Sequence, residues 1–250
     1  MRNLTAALAV ALACLAFGVA APSPTLAQTY SPAARQVIAR AQAASGGAGW
    51  KALRGLHETG QRDGQPYKVW VDPVRYGHRV ETQESAGLRI HGFNGWADWQ
   101  VLPGGRIVGV DDQGVLAQAR TAAFLAAYGF YYPSRFAADG AHIGVRQAGG
   151  RGFDVLRVRP AGGEPRELWF DRRTHLLARI VDRTGSRPVT TELSDYRRVG
   201  ALLLPFRATN DRGGRLEHRQ AEAITLATPD RNLFSWAPPG AEAHEPSGRR

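Results

Sequence analysis

The gaps between the apolar runs constrain this chain more than the runs themselves. From Leu56 to Val110 apolar residues recur with a period of two. The interruptions are Asp63-Gly64, Asp72-Pro73, Ala86-Gly87, Asn94-Gly95 and Pro103-Gly104-Gly105. Each is a short turn signal. A parallel neighbour needs a crossover of a dozen or more residues, and none of these gaps has room for one. Strands expected at 56–62, 67–72, 76–84, 88–93, 97–102 and 106–110 therefore run antiparallel.

The pattern resumes at 141–146, 153–159, 166–171, 176–182, 188–197, 203–209 and 216–225. Its turns are Gly149-Gly150, Ala161-Gly162-Gly163, Gly185-Ser186 and Gly213-Gly214. The clearest hairpin spans Glu167 to Ile180, where two apolar runs flank a charged break. Asp171 and Thr174 in that break carry oxygens that can bond nearby backbone and hold the turn.

Two segments leave this period. Ser31-Pro32 opens a helix as N-cap and first helical residue, and Gly46-Gly47 stops it. Val37, Ile38, Ala41 and Ala44 fall on one side of it. Trp50 and Leu53 follow in a short helical turn or loop that packs back on the sheet. Residues 113–128 form a second helix, apolar around most of its circumference and so buried on more than one side. Gly129-Phe130-Tyr131-Tyr132-Pro133 ends it in an aromatic cluster.

The expected fold is mainly β, with two or three helices and a dozen or so strands in one domain. A sheet that long must curl to protect its edges and its apolar face. Curled, it encloses more volume than side chains readily fill, with a helix lying in its mouth.

The N-terminus reads as an export signal. Arg2 precedes an uncharged run from Leu4 to Ala21, and Pro22 and Pro24 end it. Thr25-Leu26-Ala27 offers small residues to a signal peptidase, so residues 1–27 are expected to be removed. A retained anchor and lipid attachment at Cys14 are the alternatives. Cys14 is the only cysteine, so the mature chain has no thiol for a disulfide, a nucleophile or a metal. Residues 28–236 are expected to form the domain, and 237–250, rich in Pro, Gly and charge, a disordered tail.

The net charge is +10, and Lys51 and Lys68 are the only lysines. The arginines occur in ones and twos, not in the clustered stripe that nucleic acid requires. Their uses are attraction to anionic lipid head groups or plain solvation.

The sequence carries no catalytic motif. The seven histidines never reach close metal-ligand spacing, and no His-Glu-x-x-His or Gly-x-Ser-x-Gly string is present. Asp182-Arg183-Thr184-Gly185 lacks the contiguous Asp-Thr-Gly of an aspartic protease, and the Gly-rich stretches lack the Lys-Ser/Thr of a phosphate loop. No cofactor, no metal and no enzymatic role are expected. A dispersed hydrolase site would need His78, His91, Glu81 and Asp98 to converge. Glu81, Asp98 and Arg179 otherwise stand as inward polar handles or solvated strand residues. Trp70, Trp99, Phe124, Leu125, Tyr128 and Trp169 are the candidates for lining a ligand cavity or its lid, or equally for a plain core.

Three stretches together resemble a known family. The first is Gly46-Gly47 with Trp50, Leu53, Leu56 and Gly60. The second is Trp70-Val71-Asp72-Pro73 with Arg75-Tyr76, then Gly92-Phe93-Asn94-Gly95 and Trp99. The third is Leu168-Trp169-Phe170-Asp171 with Thr174, Leu176-Leu177 and Arg179, then Ser194-Asp195-Tyr196-Arg197, Gly200 and Leu204-Pro205-Phe206-Arg207. The pattern resembles the LolA/LolB-like superfamily of periplasmic lipoprotein-sorting proteins, in particular the LolA-like domain that precedes a retropepsin-like domain in some proteobacterial proteins. That resemblance implies an unclosed antiparallel β-barrel of about eleven strands under a helical lid. It implies a periplasmic carrier or sensor of lipid or lipoprotein acyl chains, with transient membrane contact. No protease half is expected after Arg250, so the resemblance supplies no catalytic residue. The competing expectation is an envelope protein-interaction or regulatory module whose barrel is filled by its own side chains.

Overall fold

The computed structural model describes residues 29–110 and 112–235. The expected signal peptide, Cys14 and the tail lie outside them. The elements in order are β1 (Thr29–Tyr30), α1 (Pro32–Ser45), α2 (Gly49–Ala52), β2 (Leu56–Arg62), β3 (Gln65–Asp72), β4 (Gly77–Glu84), β5 (Gly87–Phe93), β6 (Asp98–Val101) and β7 (Ile107–Val110). Then come α3 (Gln113–Ala126), a 3-10 turn (Gly129–Tyr131), β8 (Ala138–Ala148), β9 (Arg151–Pro160), β10 (Arg166–Asp171) and β11 (Leu177–Asp182). β12 (Val189–Val199), β13 (Leu202–Asp211), β14 (Leu216–Thr225) and a 3-10 turn (Arg231–Phe234) follow.

The fourteen strands among the described residues join one sheet in the order β1-β8-β9-β10-β11-β12-β13-β14-β2-β3-β4-β5-β6-β7. The sheet is mainly β with an unclosed, antiparallel-rich topology, as expected. Two details differ. There are more strands than the eleven that the resemblance implied, and β1 pairs parallel with β8. Two residues, Thr29 and Tyr30, are too few to show a period, so no pattern marks them as a strand.

The local signals explain the elements. Ser31 Oγ accepts from Ala34 N at 3.3 Å and Pro32 begins α1. Asp112 Oδ1 accepts from Val115 N at 2.9 Å and starts α3. That helix ends at Ala126, short of the expected 128, because Tyr128 adopts a left-handed φ of 51° that turns the chain into the aromatic cluster.

Contacts of α3 hold the sheet curled. Tyr76, just before β4, donates through its hydroxyl to Arg120 O at 2.8 Å. On the same helix, Thr121 Oγ1 accepts from Glu164 N at 2.7 Å, just before β10. Six strands separate β10 from β4 in the sheet, so a helix touching both ends of that span lies inside a wrapped surface. Register shifts at Trp169/Phe170, Ala221/Ala223 and His142/Val145 bend the strands toward that shape.

The inner face carries the main core. Leu56, Val69, Val71, Leu168, Phe170, Leu204 and Ile224 pack there against α1 and the α3 region. A second cluster of Phe153, Val155, Trp169, Ala178 and Val181 sits on the outer face. Arg179 lies 4.9 Å from the Trp169 ring centroid and 5.7 Å from that of Phe153, roofing that patch.

Candidate functional site

Beneath α3 the inner face leaves a hollow of about 270 Å³. Its walls are Leu56, Val69, Val71, Val80, Leu193 and Leu204 from the sheet, with Leu125, Ala126 and Tyr128 from the helix region. Strand alternation sets this lining, since every second residue of β2, β3 and β13 faces inward.

An aromatic plug closes one end. Trp50 is fully buried, and its ring lies 4.7 Å from Tyr128 and 4.8 Å from Tyr131. Trp50 Nε1 donates to Ser45 Oγ at 3.0 Å, and Tyr132 Oη donates to Trp50 O at 2.8 Å. The Trp50 indole N–H and the hydroxyls of Tyr131 and Tyr132 thus find partners, as burial requires.

The other end is polar. Thr191 Oγ1 donates to Asn210 Oδ1 at 2.7 Å, and Asn210 Nδ2 donates to Glu217 Oε1 at 3.1 Å. Glu217 Oε1 stands 3.5 Å from Arg62 Nε. Arg219 pairs with Glu58 at 3.3 Å, and Glu58 also accepts from the Tyr67 hydroxyl. Both guanidiniums lie over the Tyr67 ring, at 5.7 Å for Arg62 and 6.0 Å for Arg219. The result is a polar belt across β12, β13, β14, β2 and β3. Sequence reasoning missed it, although the period of two was legible: Leu56, Glu58, Gly60 and Arg62 share one face, and so do Glu217 and Arg219.

His78 lines the hollow between the two ends. Burial, then the charges of His91, Arg219 and Arg62, pull its pKa down to about 3, so the ring is neutral. His91 meets Asp98 at 2.5 Å on the same inner face. Glu81 faces outward and pairs with Arg79 at 2.7 Å. Among the described residues no serine or threonine hydroxyl bonds to His78 or His91, so the group has no nucleophile of that kind. Among the described residues no group of three or more His, Cys, Asp or Glu is placed to hold a metal ion.

The six candidate residues divide. Leu125 and Tyr128 line the hollow. Phe124 does not line it and is fully buried in the same core against Phe130 and Phe136. Trp70, Trp99 and Trp169 sit on the outer face. Trp70 stacks on His57 at 4.6 Å, Trp99 lies over Gly92, and Trp169 belongs to the second cluster. Arg79 bridges the first two at 5.9 and 5.6 Å from their rings. Bulk and aromaticity drew attention to these tryptophans, but parity along the strand decides which face they occupy.

A second, larger groove of about 660 Å³ opens on the outer face. Val181, Ile143 and Pro165 line it together with Arg157, Arg159 and Arg183.

No family model and no curated protein matches the sequence. Solved structures do. A DUF1329 family protein from Desulfovibrio piger is 11% identical with a TM-score of 0.54, over 80% of this chain and 96% of that one. A domain from Vibrio parahaemolyticus, named for outer membrane lipoprotein sorting, is 12% identical with a TM-score of 0.52, over 79% and 94%. A LolA superfamily protein from Nitrosomonas europaea is 11% identical with a TM-score of 0.50, over 81% and 97%. At such identities the likeness is one of architecture, and the fold is LolA-like.

Proposed function

We propose that this chain is a periplasmic carrier or sensor of acylated ligands, holding the acyl chain of a lipid or lipoprotein between α3 and the inner face of the sheet. The observation that carries the reading is the apolar hollow under α3. An acyl chain of about sixteen carbons loses on the order of 12 kcal/mol when left in water, at ~0.8 kcal/mol per CH₂. Only apolar walls offset a term of that size; exposed ion pairs contribute roughly 0–1 kcal/mol each. The fold shared with a domain named for lipoprotein sorting supports the same reading.

The hollow is small for this work. Its volume of about 270 Å³ lies below the roughly 300–1,000 Å³ of ordinary ligand sites. A recess of about 350 Å³ adjoins it and shares Leu125, Ile180, Thr191 and Asn210. A long chain therefore requires α3 to lift, so that hollow and recess merge. Native mass spectrometry of protein purified without delipidation is expected to show bound lipid, and the apoprotein to take up a fluorescent fatty acid. A chain that stays empty in both measurements overturns the reading.

The second reading is an envelope protein-interaction or regulatory module with no lipid ligand. The plug of Trp50, Tyr128 and Tyr131 favours it, since it already fills one end of the barrel. A specific partner recovered by in vivo crosslinking, from protein that binds no lipid, would select this reading.

A further inference from the structure

An acyl carrier holds one end of its ligand in apolar walls, and the polar belt faces the other end. At one side the wall residue Tyr128 packs against Trp50 and Tyr131, which are both buried. At the other side Arg62, Glu217 and Arg219 keep 31%, 28% and 27% of their side-chain surface in solvent. That side is the mouth, so a chain inserted tail first leaves its head at the belt.

The hydrogen-bonding capacity there is unbalanced. Two guanidiniums bring about ten N–H donors, and two carboxylates about eight lone-pair sites. Tyr67 and Asn210 already occupy part of the carboxylate capacity. Among the described residues each guanidinium makes a single ion pair, and the buried Arg62 Nε, 3.5 Å from Glu217 Oε1, makes no hydrogen bond. The spare capacity is therefore mostly donor capacity. The neutral ring of His78 faces the same space.

The rim adds arginines, beside an Arg166–Asp182 pair that cancels its own charge. Arg212 lines the adjoining recess with Asn210 and Thr191. Arg187 lies against the turn between β13 and β14, where a Cβ on Gly213 would stand 3.4 Å from its Cδ. Among the described residues neither Arg187 nor Arg212 makes an ion pair, and Arg215 in the same turn makes none either. Of the acids close by, Asp211 is engaged by Gly214 N at 2.7 Å, and Asp182, which also lines the recess, pairs with Arg166 at 2.9 Å.

We propose that the ligand's head is an anionic group with acceptor oxygens only, a carboxylate or a phosphate monoester, seated between Arg62, Arg219 and the rim arginines. This rests on the acyl-carrier reading and adds the chemistry of the other end. A neutral ester or alcohol would use fewer of the donors, and a quaternary ammonium would meet like charge.

Calorimetric titration with four amphiphiles sharing one dodecyl-length chain tests it: dodecanoate, dodecyl phosphate, monolaurin and dodecyltrimethylammonium. The anions are expected to bind roughly tenfold tighter than monolaurin, from one or two charge-assisted hydrogen bonds, and to weaken as salt rises. Dodecanoate against dodecyl phosphate tells a fatty-acid head from a phosphate head. In the double variant Arg62→Met/Glu217→Gln, which keeps the local charge balance, the ratio of anion to monolaurin affinity is expected to fall several-fold. Misfolding would lower both affinities together and leave the ratio unmoved. Equal binding of anions and monolaurin, or preference for the ammonium, overturns the head-group assignment while the acyl-carrier reading stands. If none of the four binds, both fall.

Discussion

Asp72 and Asp171 close two distant hairpins by the same device. Each is the buried last residue of its strand, β3 or β10. Asp72 Oδ1 accepts from Val74 N at 2.8 Å and Arg75 N at 2.9 Å. Asp171 Oδ1 accepts from Arg173 N at 2.9 Å and Thr174 N at 2.8 Å. A left-handed residue then reverses each chain, Tyr76 at φ 65° and His175 at φ 59°. Two residues before each Asp stands a tryptophan on the outer face under an arginine, Trp70 beneath Arg79 and Trp169 beneath Arg179. Replacing Asp171 by Ala leaves two turn N–H groups and Arg151 without their acceptor, and is expected to cost about 2 kcal/mol in urea unfolding. Asp72→Ala is expected to cost a similar amount.

The same carboxylate shapes the acid limb of stability. Burial raises the Asp171 pKa, but hydrogen bonds from Thr174, Arg151 and Arg173 together outweigh it and bring the group down to about 2. The folded state thus binds the proton more weakly than the unfolded chain. The stabilisation is complete above the unfolded pKa near 3.8 and is lost as pH falls toward 2. Asp171→Asn is expected to flatten the stability profile in that window.

His78 acts in the same direction at higher pH. Its folded pKa is about 3 against 6.5 in the unfolded chain, again because the folded state refuses the proton. Its contribution is full above pH 6.5 and declines as pH falls through the interval down to 3. His78→Leu is expected to remove that slope and to leave unchanged the part of the acid limb below pH 3, where Asp171 alone of the two still titrates. Stability measured by denaturant titration at successive pH values checks both.

The helix over the hollow is latched along one side. Arg166 donates to Gln118 Oε1 at 2.6 Å while pairing with Asp182 at 2.9 Å. Thr121 Oγ1 accepts from Glu164 N at 2.7 Å and donates to Ala117 O at 2.9 Å. Thr121→Val removes the acceptor for Glu164 N with little change of volume. Faster hydrogen exchange in α3 and faster uptake of a fluorescent fatty acid are expected, with global stability lowered by about 1 kcal/mol.

Much of this architecture was legible in the residues, for identifiable reasons. The Asp171–Thr174 turn followed from side chains that bond their own backbone, and it holds as expected, with Thr174 Oγ1 accepting from Leu176 N at 3.3 Å. The cap at Ser31 and the stop at Gly46 are equally local. β1 was not legible, because Tyr30 is held by distant groups: it lies over Gly140, where a Cβ would meet its ring at 1.9 Å. The site was half legible. Leu125 belongs to a helix whose apolar circumference announces burial, and Tyr128 to the aromatic cluster that follows it. The polar belt arises only when β14, with β13 and β12 behind it, comes beside β2, at a sequence separation that no local pattern reports.

The division of the aromatic candidates between two faces yields the sharpest test of where the ligand sits. Leu125 and Ala126 face the hollow, whereas Trp169 is on the outer face, 5.7 Å from Phe153. Ala126→Trp adds an indole to a space of about 270 Å³ and leaves too little room for a chain. Trp169→Phe removes bulk from the outer cluster and touches nothing inside. Both variants are expected to lose about 1–3 kcal/mol of stability, from overpacking in one case and a cavity in the other. Only the first is expected to reduce fatty-acid uptake tenfold or more. If the two variants lose uptake in proportion to stability alone, the hollow under α3 is not where the ligand binds.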